Sequence, residues 1–167
     1  MRLEKLSKID LLFLVDYLME KDEELAVRME DMLTDDISTE GIDRIFDRIC
    51  ARNKTASPEK LAEDLSMVFG YILQNQLAEG YTSKVILASI QVYRLCSEQL
   101  ESSVSDSAFS KLFGELFAII RDGKKELRKY NPRLLDHPLI TDEIDEELDQ
   151  FTNSTFREKI EKVWEAA

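Results

Sequence analysis

Apolar residues recur along this chain at spacings of three and four, and few stretches alternate with period two. Such spacing belongs to amphipathic helices rather than half-buried strands. The first helix is expected to begin after Ser7, with Asp10 in its first turn, and to run to about Glu20. It is apolar over a wide arc: Ile9, Leu12, Phe13 and Tyr17. Leu25, Met29, Met32 and Leu33 mark a second helix over about 23–33, with Lys21-Asp22 as a break or a charged turn. A polar stretch, 34–39, precedes a third, marked by Ile42, Ile45, Phe46, Ile49 and Cys50 and closed by Arg52-Asn53-Lys54.

Ser57-Pro58 pairs a capping hydroxyl with a proline preset for the first helical turn. The fourth helix is placed at 58–79, with Gly80 as its stop. The fifth runs from Thr82 or Ser83 to about Ser102, and the sixth from Ser105 or Ser107 to a point before Pro132. Thr141 is expected to cap a short acidic helix reaching Phe151. Thr155 and Glu158 have the spacing of a capping box for a last helix that ends in Trp164.

Charge ranks these helices by burial. Between Leu65 and Cys96 the charged residues are Glu79, Lys84 and Arg94 alone. Helices apolar over most of their circumference are buried on several sides. The fourth and fifth helices are therefore expected to form a buried central hairpin containing Leu65, Val68, Phe69, Ile72, Ile86, Ile90 and Tyr93. Gly70 and Gly114 lie inside helical patterns, where close helix–helix approach would offset their cost of about 1 kcal/mol against alanine. The expected fold is all-α: one globular domain, 1–167, of six to eight helices with an amphipathic C-terminal helix. Residues 134–167 form an acidic segment that could behave as a semi-independent arm.

Composition narrows the chemistry. The chain has 167 residues, 22 Lys and Arg against 34 Asp and Glu, and a net charge of -12. That balance disfavours nucleic acid as a partner, because the global field opposes phosphate. One histidine, His137, and two cysteines, Cys50 and Cys96, cannot complete a four-ligand structural zinc site. Both cysteines fall at apolar helical positions and read as reduced core thiols of a cytosolic protein. His137 sits between helices in Leu135-Asp136-His137-Pro138 and reads as a surface hydrogen-bonding residue rather than a base. The Leu11–Val15 apolar run is too short for a signal-peptide core or a membrane span. Five scattered glycines form no phosphate-cradling loop, so no cofactor is expected.

Asp36, Ser38, Glu40 and Gly41 mimic the start of a calcium loop. Asp43 and Asp47 occupy the positions that need an apolar residue and a glutamate, so a capped helix start at Ser38 or Thr39 is the better reading. Adjacent acidic pairs such as Glu23-Glu24 and Asp35-Asp36 point about 100° apart on a helix and do not converge.

The distribution of charge is more informative than its total. Residues 106–133 carry seven basic and four acidic groups, and residues 134–167 carry three and ten. Arg121, Lys124, Lys125, Arg128, Lys129 and Arg133 form a basic end on the sixth helix, a candidate binding patch that also complements the helix dipole. The acidic row Asp142, Glu143, Asp145, Glu146, Glu147 and Asp149 could fold back on that patch and screen it. Phe156, Ile160, Val163 and Trp164 share one face of the last helix. That face docks either on its own core, the preferred reading, or in a partner's groove, and Phe156, Ile160 and Trp164 are candidate contacts.

These features point to a non-catalytic, cytosolic protein-binding or regulatory module acting through an acidic helical surface. Its partner is another protein of unknown identity, no membrane is involved, and homo-oligomerisation stays open. One alternative is an acidic inhibitor of the immunity type that blocks a basic partner such as a nuclease. Another, from a different class, is a small helical enzyme whose carboxylates hold Mg²⁺.

Overall fold

Capping chemistry sets most helix boundaries in the computed structural model, which describes residues 5–32, 36–103 and 106–167. Leu33, the 34–35 start of the polar stretch and Ser105, all used in placing the expected boundaries, lie outside the described residues. The described helices are α1 (Lys8–Lys21), α2 (Glu23–Met32), α3 (Thr39–Arg52), α4 (Pro58–Ala78), α5 (Thr82–Ser103), α6 (Asp106–Tyr130), α7 (Pro138–Asp149) and α8 (Ser154–Ala166). A 3-10 turn, Pro132–Leu134, connects α6 to α7. No strand occurs among the described residues, and the expected all-α class is found.

Ser7 caps α1 in a reciprocal box: its hydroxyl oxygen accepts from the Asp10 amide, and the Asp10 carboxylate accepts from the Ser7 amide. Ser38 caps α3 by accepting from the Gly41 amide at 3.1 Å, and Ser57 caps α4 from the Lys60 amide at 3.2 Å. Gly80 follows α4 with φ +92, a left-handed conformation that glycine reaches without steric cost.

Two starts differ from expectation. α7 begins at Pro138, earlier than a Thr141 cap requires, because proline fits the first turn and His137 Nδ1 accepts from the Leu139 amide at 3.2 Å. α8 is capped by Asn153, whose Oδ1 accepts from the Thr155 amide at 2.9 Å. Thr155 therefore lies inside the helix, and the Thr155–Glu158 capping box does not form.

The chain divides by its internal contacts at residue 34. The first unit is the α1–α2 hairpin. The second, residues 35–167, is built on α4, α5 and α6, which pack closely together. Leu65, Val68, Phe69, Ile72, Ile86, Ile90 and Tyr93 are all buried there, as the expected central hairpin requires. α6 lies along both α4 and α5, and contributes Phe109, Leu112, Leu116 and Ile120 to the same core.

The close approach expected at Gly70 and Gly114 is found elsewhere. A methyl at Gly114 would meet nothing within 4 Å, and one at Gly70 would meet only the Glu115 carboxylate at 3.4 Å. At Gly123, however, it would lie 2.8 Å from Ile86 Cγ1, so α5 and α6 touch through that glycine.

Buried polar links join the helices of the second unit. Arg52 grips Asp64 through Nε and Nη2, both at 2.9 Å, and Asn53 donates to the same carboxylate at 2.6 Å. These contacts fix the end of α3 against α4. Arg94 Nε meets Glu147 at 2.8 Å, tying α5 to α7 with both side chains about nine-tenths buried. Gln91 donates to the Thr39 carbonyl and to Asp43, joining α5 to α3.

Candidate functional site

Among the described residues, six exposed large apolar side chains lie on α1, and Met67, Tyr71, Tyr81, Tyr130 and Leu139 are exposed elsewhere. Ile9 is 65% exposed, Leu12 55%, Phe13 70% and Tyr17 56%. At 100° per residue these four share one side of the helix with Asp16 and Glu20, both exposed. Leu11, Leu14, Val15 and Leu18 occupy the other side. A helix that is apolar around its circumference normally lies inside a protein. Here α1 buries none of its residues, and α2 buries only Asp31. Among its described residues, the hairpin thus has no buried apolar residue of its own.

Lys5, Lys8 and Asp10 stand at the open end of this hairpin on one arm and Glu30 and Asp31 on the other, while Glu20, Lys21, Asp22, Glu23 and Glu24 surround the turn. Lys21 in that turn lies with Nζ 5.6 Å from the Tyr17 ring centroid. Asp10 is held below the ordinary carboxylate range by its hydrogen bonds from the Ser7 side chain and backbone.

The basic end of α6 is partly consumed within the fold. Lys124 donates from Nζ to the Trp164 carbonyl and lies 4.5 Å from the centroid of the Trp164 ring. Partial burial, then the nearby Arg128 charge, lower its affinity for a proton. Arg128 donates to the Ala167 carbonyl at 2.7 Å. Both cations therefore sit at the carbonyl end of α8, where the helix dipole favours them. Arg121, Lys125, Lys129 and Arg133 are exposed. Lys129 stacks over Tyr130, 4.8 Å from its centroid.

The hydrophobic face of α8 is turned onto its own unit. Ile160 is buried and Phe156 and Trp164 are half-buried. Phe156 joins an aromatic cluster centred on Tyr93, with ring centroids 6.1 Å apart. Phe113, Phe117 and Phe151 surround the same tyrosine at 4.8, 5.1 and 5.9 Å. This cluster draws α5, α6, the end of α7 and α8 together.

The acidic row does not fold back on the α6 patch. α7 packs on α5, and it is α8 that lies along α6. Glu147 reaches buried Arg94, and Ile140, Ile144 and Leu148 bury the inner side of α7. Apolar packing and one buried ion pair therefore outweigh attraction between exposed charges, which water screens. Asp142, Glu143, Asp145, Glu146 and Asp149 remain exposed. Glu143 and Glu146 border a groove of about 560 Å³ between the start of α3, α5 and α7. Four carboxylates and one lysine, Lys84, line it.

The remaining candidates have local roles. Asp36 accepts from the Ser38 hydroxyl and from Arg44 Nη2 at 2.6 Å, which completes the α3 start instead of a calcium loop. Cys96 is buried and Cys50 half-buried, and neither is in a disulfide. Burial pushes the Cys50 thiol up to about 11 and the Cys96 thiol well above its ordinary value. Neither is an activated nucleophile. Among the described residues, no group of three or more His, Cys, Asp or Glu side chains converges as metal ligands would. No described helix is long and apolar enough to cross a membrane.

The outer side of α1 was visible as a wide apolar arc, yet the candidate contacts chosen from the sequence lay on α6 and α8. A further signal was present: α1 is apolar on both sides, and a two-helix hairpin can cover only one. No family model matches this chain, and no curated protein or solved structure shows significant similarity to it.

Proposed function

We propose that the protein is a binding module rather than a catalyst, and that it docks through the outer side of α1. The observation carrying this reading is the exposure of Ile9, Leu12, Phe13 and Tyr17 on a helix that buries none of its residues. An exposed apolar patch marks an association surface, and Asp16 and Glu20 lie within this one. Aromatic side chains such as Phe13 and Tyr17 supply large contact area at low conformational cost. The buried ionic groups of the second unit support the same reading. Asp64 and Glu147 are each gripped by an arginine and hold helices together.

A second reading places the partner on the acidic groove beside α7. Exposed Glu143 and Glu146 favour a basic segment there, the arrangement expected of an acidic inhibitor or regulatory module. Salt separates the two. Apolar contacts through α1 should survive about 1 M salt, where the Debye length falls to about 3 Å, whereas attraction to the groove should not.

The test is co-purification of the full chain at low and high salt, with an Ile9→Ser/Phe13→Ser/Tyr17→Ser variant in parallel. Association that resists salt and disappears in the variant supports the α1 reading. Association that salt abolishes and the variant retains transfers the function to the acidic groove.

A further inference from the structure

We infer that the groove between the start of α3, α5 and α7, with a cavity that adjoins it, takes an extended basic segment of a partner protein. The inference does not involve α1. It rests on the groove reading above and adds the chemistry of the ligand and the groups that hold its main chain.

Beside the groove lies a cavity of about 400 Å³ lined by Ile37, Gln76, Glu79, Tyr81 and Lys84. Ile37 and Lys84 line both spaces, so the two adjoin. Every lining residue belongs to the 35–167 unit.

The first argument is a buried amide with nothing to hold. Gln76 is 4% exposed, and among the described residues no hydrogen bond reaches its side chain. Its amide is not sealed in the core and opens where Gln76 lines the cavity. Buried polar groups are nearly always paired, because an unmet donor or acceptor gives up water without a replacement. A glutamine amide offers donors and an acceptor side by side, which the N–H and C=O of an extended main chain can answer. Gln91, 3% exposed, lines the groove two turns along α5 from Lys84. Its Nε2 donates to the Thr39 carbonyl at 2.9 Å and to Asp43 at 2.8 Å, which leaves Oε1 as an acceptor. Two turns rise about 10 Å, a distance that extended chain spans in about three residues.

The second argument is charge. Among the carboxylates of the groove, Glu147 holds Arg94 and Asp36 holds Arg44. Glu143 and Glu146, exposed and one turn apart on α7, form no ion pair among the described residues. In the cavity Lys84 and Glu79 offset each other, and Lys84 Nζ lies 5.9 Å from the Tyr81 ring centroid. The field is therefore negative beside α7 and near neutral beside Gln76. Such a surface selects cationic side chains toward α7 and uncharged residues toward Gln76, and it repels phosphate.

The probes are labelled hexapeptides, blocked at both ends, with two adjacent arginines followed by four varied uncharged residues. A control set carries two glutamates in place of the arginines. The full chain is screened against both sets at about 20 mM salt, where charge is weakly screened. The best sequence is then titrated by fluorescence anisotropy. The arginine set should bind and the glutamate set should not. Glu143→Gln/Glu146→Gln should weaken binding about tenfold or more, while Glu59→Gln/Glu63→Gln, an equal change of net charge on exposed α4 positions, should change it less than about twofold. Gln76→Leu should weaken the same peptide about tenfold without altering its salt dependence. It should not lower the thermal unfolding temperature, since no internal hydrogen bond is lost.

No binding of the arginine set, equal effects of the two charge variants, or normal binding by Gln76→Leu would each overturn the inference. Salt-sensitive co-purification that Glu143→Gln/Glu146→Gln abolishes, in a chain that binds no peptide, would keep the groove reading and remove only the extended segment. Co-purification and peptide binding both indifferent to that variant would remove both.

Discussion

α1 and α5 both carry apolar residues around most of their circumference, and they meet opposite fates. α5 places Val85, Ile86, Ile90, Val92, Tyr93 and Cys96 at 1% exposure or less. α1 has the same need for cover and buries nothing. Apolar content measures how much a helix gains from burial, not whether the other helices of its own unit supply the cover. In the 35–167 unit, α4 and α6 close around α5. In the hairpin, α2 is amphipathic and can cover one side of α1.

The largest test of this contrast compares two phenylalanines. Phe69 is fully buried on α4 and Phe13 is 70% exposed on α1. Phe69→Ala should cost the 35–167 unit about 3–5 kcal/mol in denaturant unfolding, the usual range for truncating a buried Phe. Phe13→Ala should change it by less than about 0.5 kcal/mol. Similar losses would mean that the hairpin contributes to the same cooperative core.

Ion pairs extend the comparison to polar contacts. Asp64 is 1% exposed and held by Arg52 and Asn53. Asp64→Ala should destabilise by about 3–5 kcal/mol, since it leaves an arginine and an amide without their carboxylate. Glu24 meets Arg28 at 3.2 Å in the hairpin with its own side chain half-exposed. Glu24→Ala should cost at most about 0.5 kcal/mol, as is typical of an exposed i,i+4 pair. Thermal or urea unfolding of both variants decides whether the buried pair is structural.

Within α6, two glycines sharpen the account of the core. Gly123→Ala forces a methyl into Ile86 on α5 and should cost about 1–3 kcal/mol by overpacking. Gly114→Ala meets open space and should stabilise by about 0.5–1 kcal/mol through helix propensity. A loss at Gly114 equal to that at Gly123 would contradict the placement of the α5–α6 contact.

The smallest expected effect is a pH dependence at the start of α1. Hydrogen bonds from Ser7 hold the folded Asp10 carboxyl below its ordinary value of 3.8. A depressed carboxyl stabilises the fold above the unfolded value and loses that contribution as pH falls through the folded one. Fraying of α1 should therefore begin below 3.8 and be smaller in Asp10→Asn, as read from amide exchange at residues 8–11.

Much of this architecture was legible in local patterns. Ser7 with Asp10, Ser57 with Pro58, and Gly80 mark helix ends because a cap satisfies backbone groups a few residues away and needs no distant partner. Where two local signals compete, one sets the helix start: His137 before Pro138 outranks Thr141, and Asn153 outranks Thr155. The burial of α4 and α5 also followed from sequence, because a segment with three charges between Leu65 and Cys96 has little that water would stabilise. The site was less accessible. Phe13 and Phe156 both lie on apolar helix faces, yet one is exposed and the other is set against Tyr93.

What the sequence determined by itself was the helical class, most of the helix ends and which helices needed burial. Those properties depend on contacts within a few residues and on the number of charges each segment carries. Only the tertiary structure decided which apolar face found cover, that Glu147 pairs with Arg94, and that Gly123 rather than Gly70 or Gly114 brings two helices into contact. Such pairings join residues tens of positions apart. They are selected by the packing of whole helices, so no spacing along the chain encodes them.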